Sequence, residues 1–67
     1  MLRIELELED DGRWIAEIPE LPGVMAYGAS REEARGKVEV LALRTLADRI
    51  EHGEAVPEVG ELFVPAA

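Results

Sequence analysis

The sequence predicts an α+β domain of order β-β-β-α-β: an antiparallel meander and a short last strand packed on one long helix. Three observations carry that expectation. Apolar residues alternate with charged ones from Leu2 to Glu9, the period-two signature of a half-buried strand. From Ala34 to Ile50 they recur at helical spacing. The stretch Gly23 to Ala34 joins the two patterns. It is punctuated by Gly23 and Gly28, and Ser30 with Glu33 has the spacing of a capping box, so the sheet hands over to a helix there.

Each element follows in order. Leu2, Ile4, Leu6 and Leu8 alternate with Arg3, Glu5, Glu7 and Glu9, giving one apolar and one charged face. Asp10-Asp11-Gly12 suits the positive φ angles of a type I′ turn, so a hairpin is expected. The second strand runs from Arg13 to about Ile18, with Trp14, Ala16 and Ile18 on one face and Ile15 and Glu17 on the other. Pro19-Glu20-Leu21-Pro22-Gly23 ends it, because proline donates no ladder hydrogen bond and holds the residue before it extended. Leu21, between the prolines, is expected to return to the core edge as a plug. A third strand, Val24 to Tyr27, completes the meander, and Gly28 turns the chain into the cap.

The helix is expected from Arg31 to about His52, about 33 Å at 1.5 Å per residue. Gly53 is its left-handed terminator, and Arg49 and His52 sit where a cation complements the C-terminal dipole. Gly36 in the interior costs roughly 1 kcal/mol against Ala. It marks either a close backbone approach or a tolerated defect. At 100° per residue, Ala34, Val38, Leu41, Ala42 and Thr45 share one face. Val40, Leu43, Ala47 and Ile50, with Gly36, share nearly the opposite one, and Leu46 lies between. Glu33, Lys37, Arg44, Asp48 and Glu51 form a charged row on one side, and Arg35 and Glu39 on the other. A small sheet covers only one of two apolar stripes. The second must meet another chain, lie under the tail, or stay wet. Self-association through Val40, Leu43, Ala47 and Ile50, as a dimer or higher oligomer, is the expectation. After Gly53, residues 54–60 read as a loop, and Leu62, Phe63 and Val64 as a short strand stopped by Pro65. There is no internal repeat or linker, so residues 1–67 form a single domain.

Composition supports that reading. A chain of 67 residues buries only about 60% of its unfolded surface, so a lone core is marginal. With no Cys and one His, neither disulfides nor zinc are expected to help, which leaves oligomerisation. The net charge is −8. Seven acidic side chains face two basic ones before residue 30, and the last fifteen residues hold three Glu and no base. Without a basic patch to replace phosphate counterions, direct nucleic-acid binding is not expected. The acidity suits a basic protein partner, and it also serves plain solubility. Arg3 and Glu5 interrupt any signal-peptide core, and no apolar run nears the roughly 20 residues of a membrane span, so a cytoplasmic protein is expected. Asn, Gln and Cys are all absent, as in a thermophilic protein or one with GC-rich coding.

Catalytic and cofactor sites are not expected. Asp10-Asp11 sits in a turn that favours Asp for its local hydrogen bonds. Glu5, Glu7 and Glu9 share one strand face and read as a solvated face or as partners of Arg3 and Arg13. His52 would need a nucleophile within hydrogen-bond reach, and the chain offers only Ser30, used as the cap, and Thr45. Trp14 and Tyr27 read as core and rim. No glycine-rich loop precedes a Lys-Ser/Thr pair to cradle a phosphate.

Asp11-Gly12-Arg13-Trp14-Ile15-Ala16-Glu17-Ile18-Pro19-Glu20-Leu21-Pro22-Gly23 resembles the pattern D-G-x-[WFY]-x-A-x-[IV]-P-[DE]-L-P-G of HicB-like antitoxin N-terminal domains. Ala26-Tyr27-Gly28-Ala29-Ser30-Arg31-Glu32-Glu33-Ala34 continues it as A-x-G-x-[ST]-x-E-E-A, and Gly53-Glu54-Ala55-Val56-Pro57 resembles G-E-x-[ILV]-P. The resemblance spans about residues 1 to 64. It implies a partial ribonuclease-H-like fold without that class's catalytic carboxylates. It also implies oligomers that block a small, basic, mRNA-cleaving toxin of double-stranded-RNA-binding fold. Val24 stands where the family often has Cys, and the C-terminal DNA-binding domain that many members carry is not expected, so operon repression is not carried over. The expected function is a non-enzymatic protein-interaction module, with such an antitoxin as its specific form; no residue is singled out for toxin contact. A free-standing oligomeric domain with another ligand, and a degenerate hydrolase using Glu5 or Glu7, are the other two classes considered.

Overall fold

The computed structural model describes residues 1–60 and 62–66. Three strands, β1 (Glu5–Leu8), β2 (Trp14–Glu17) and β3 (Met25–Gly28), form an antiparallel sheet of order β1-β2-β3. Helix α1 (Arg31–Glu51) packs across β3 and β2 and only grazes β1. A four-residue helical turn, α2 (Pro57–Gly60), follows. The core is Ala16, Ile18, Leu21 and Val24 from the sheet side and Ala34, Val38, Ala42 and Leu46 from α1. Leu2, Ile4, Leu6, Trp14, Ala26, Val56 and Val59 pack around it half-buried.

The β1–β2 hairpin pairs Leu6 with Ala16 and Leu8 with Trp14, which sends these four residues to the helix side and leaves Ile15 on the outer face. Its turn is not the expected type I′. Gly12 N–H donates to Glu9 O at 3.0 Å, Glu9 N–H donates to Arg13 O at 2.7 Å, and only Gly12 (φ 88) is left-handed. This is a three-residue loop with a glycine bulge. It wins because Asp11 avoids a positive φ and instead accepts from the Arg13 N–H at 3.0 Å.

The Pro-Glu-Leu-Pro-Gly excursion is two fused turns. Leu21 N–H donates to Ile18 O at 2.9 Å, and Val24 N–H donates to Leu21 O at 3.0 Å. Pro22 and left-handed Gly23 (φ 86) hold the inner positions of the second turn, as a type II turn requires. The result drops Leu21 fully into the core, as the plug reading expects. Gly28 ends β3 buried in extended backbone rather than making the turn. A Cβ there would press on the Ala34 backbone, with Ala34 Cα at 2.9 Å. The glycine serves close approach of strand to helix.

Ser30 Oγ accepts from the Glu33 N–H at 3.1 Å and caps α1. The reciprocal half of the box is replaced by an ion pair, because the Glu33 carboxylate turns to Lys37 Nζ at 3.0 Å. At the far end Glu54 N–H donates to Arg49 O and Gly53 N–H to Ile50 O, with Gly53 at φ 77. That is a Schellman stop.

Further along the chain the structure departs from the sequence reading at the helix face and the tail, and it decides between the two readings of Gly36. The helix buries Leu46 rather than Leu41, and Thr45 is half-buried, so the sheet-facing stripe is rotated toward Leu46. Ala34, Val38, Ala42 and Leu46, each four residues apart, form the single ridge that meets the sheet. Gly36 has no atom within 4 Å of a Cβ position, so no close approach occurs there within the chain. Leu62, Phe63 and Val64 form no strand, and residues 57–60 are helical where a loop was expected. A strand needs a sheet edge to ladder on, and this segment lies beside the C-terminal half of α1 instead.

Candidate functional site: an exposed apolar face on the long helix

The stripe that α1 turns away from the sheet is uncovered. Val40 is 50% exposed, Leu43 64% and Ile50 49%, and Ala47 is exposed beside them. All four residues expected at an oligomer interface thus lie together on one surface. They do so because the helical period fixes their common direction and the sheet is too narrow to reach round the helix.

The tail widens this face without closing it. Leu43, Leu46, Ala47 and Ile50 form one wall of a cleft of about 280 Å³, and Leu2, Val59, Leu62 and Phe63 form the other. Phe63 remains 72% exposed. The segment expected as a strand therefore contributes apolar surface to the site, a role its sequence did not distinguish from core packing. Leu2 belongs to the same surface, and the seat of α1 away from β1 is what leaves it there.

A second surface is the outer side of the sheet. Glu5 stands opposite Glu17, and Glu7 opposite Ile15, which in turn faces Tyr27. A shallow hollow of about 280 Å³ is lined by Glu5, Leu6, Glu7, Glu9, Ile15 and Glu17. Of the two readings of these carboxylates, a solvated face or partners of Arg3 and Arg13, the described residues favour the first, because both arginines bond elsewhere. Arg3 Nε donates to Glu20 at 2.8 Å, with its backbone N–H on the same carboxylate at 2.9 Å. Arg13 Nε donates to Asp11 at 2.7 Å, and its guanidinium lies 4.4 Å from the Tyr27 ring centroid. The Arg3 backbone and side-chain bonds hold the Glu20 carboxyl below its ordinary value, and the Arg13 N–H does the same for Asp11. Lys37 lowers Glu33 likewise.

His52 Nδ1 lies 2.7 Å from Asp48 O at the helix end. Trp14 is half-buried against the core and Tyr27 is exposed. Among the described residues no group of three or more His, Asp or Glu is placed to hold a metal ion. No helix among them is long and apolar enough to cross a membrane. No family model matches the chain, and neither the curated proteins nor the solved structures contain a significant match.

Proposed function

We propose that this chain is a non-enzymatic, HicB-like protein-interaction module of the cytoplasm. It self-associates through Val40, Leu43, Ala47 and Ile50 and, as an antitoxin, neutralises a small basic mRNA-cleaving toxin. The observation that carries the interaction reading is the exposed apolar face of α1 in so small a domain, since a 67-residue core gains from covering such a surface. The toxin reading draws on the residue pattern from Asp11 to Ala34 and on the acidic outer face of the sheet, which attracts a cationic partner and speeds encounter.

Co-expression with a small basic protein encoded beside this chain tests it. A stable complex that suppresses the partner's mRNA cleavage is the expected outcome. A chain that neither binds nor inhibits such a neighbour lacks the antitoxin role, and the free-standing oligomeric domain then takes its place.

A further inference from the structure

We propose that the exposed face of α1 pairs with the same face of a second copy in antiparallel register, Val40 against the partner subunit's Ile50 and Leu43 against the partner subunit's Ala47. This deepens the self-association reading above and rests on it. Gly36, Val40, Leu43, Ala47 and Ile50 are spaced four, three, four and three apart, the 3.5-residue repeat of a two-helix seam. The antiparallel layers set a large side chain against a smaller one at Leu43 and Ala47, which lets the helices approach closely there.

The flanks of the seam choose the direction. On one flank run Glu33, Lys37 and Arg44, then Asp48 and Glu51 toward the C-terminus of α1. On the other flank lie the ion pair Arg35–Glu39 in the N-terminal half and the apolar tail, Leu62 and Phe63, beside the C-terminal half. Antiparallel pairing about a twofold axis brings like flank to like flank with the halves exchanged. Lys37 then meets the partner subunit's Glu51, Arg44 meets the partner subunit's Asp48, and the two apolar tails close the opposite side. Parallel pairing would press Asp48 and Glu51 against the partner's apolar tail. Lys37 keeps its contact with Glu33 at 3.0 Å and still has donors to spare.

The chain has no cysteine, so introduced thiols report the register directly. In this register position 40 lies beside position 50 of the other copy, while the two positions 40 are separated by about 15 Å along the axis, beyond the roughly 7 Å Cα limit of a disulfide. Mild oxidation of mixed Val40→Cys and Ile50→Cys chains should give a linked heterodimer, and Val40→Cys alone should give none. In sedimentation equilibrium, Lys37→Glu and Glu51→Lys should each weaken the dimer about tenfold, and the double exchange should restore it. If wild type dimerises but Val40→Cys links to itself as readily as the mixture does, the antiparallel register is overturned while self-association stands. A monomeric wild type overturns both.

Discussion

Leu21 and Gly28 set the joint between sheet and helix, each for a different reason. Leu21 fills the core from between two prolines, so Leu21→Ala should destabilise the fold by about 2–5 kcal/mol, read from the midpoint of urea unfolding. Gly28→Ala should cost about 1–3 kcal/mol by overpacking, because Ala34 belongs to helix backbone that cannot step aside. The Arg3–Glu20 contact predicts a pH response. The folded carboxyl of Glu20 is lowered by the Arg3 N–H and guanidinium, so its contribution is present above the ordinary carboxylate value and is lost as pH falls through the lowered one. The melting temperature should therefore fall between about pH 4 and more acidic solution, and Glu20→Gln should make that fall shallower. A Glu20→Gln profile parallel to wild type would remove the linkage. The plug was legible in the Pro-Glu-Leu-Pro-Gly spacing. The partners of Arg3 and Arg13 were not, because an exposed arginine reaches several carboxylates and local backbone donors decide among them.

At the scale of elements, patterning was legible wherever one face had to be buried. The second half of the alternation, Glu5–Leu8, became a strand with its apolar side to the helix, and Ser30 and Gly53 became the two ends of α1. Ser30→Ala should cost about 1 kcal/mol, since the Glu33 N–H loses its acceptor. Gly36→Ala should do the opposite and raise stability by about 0.5–1 kcal/mol, because nothing crowds a Cβ there and the helix interior disfavours glycine. A destabilised Gly36→Ala would mean that another chain approaches this position closely. The last strand failed as an expectation for a physical reason. Leu-Phe-Val has strand propensity, but strand structure belongs to a pair, and the tail packs its side chains beside Leu2 and the C-terminal half of α1 instead.

The whole molecule is a narrow sheet under a helix that carries two apolar stripes, and a narrow sheet covers one of them. That imbalance was readable from helical angles alone, and Val40, Leu43, Ala47 and Ile50 remain exposed together in the structure. What was not readable is the contribution of Leu2, Leu62 and Phe63, which depends on where α1 sits across the sheet. The acidic outer face lies on the other side of the sheet from α1, so a self-associated module keeps it open to a basic partner. Light scattering on the wild-type chain and on Leu43→Glu tests the self-association claim most directly. The account predicts a wild-type mass at least twice the 7.4 kDa of one chain, and a folded monomer for the variant with its helical circular dichroism retained. A wild type that stays at 7.4 kDa at high micromolar concentration would contradict it.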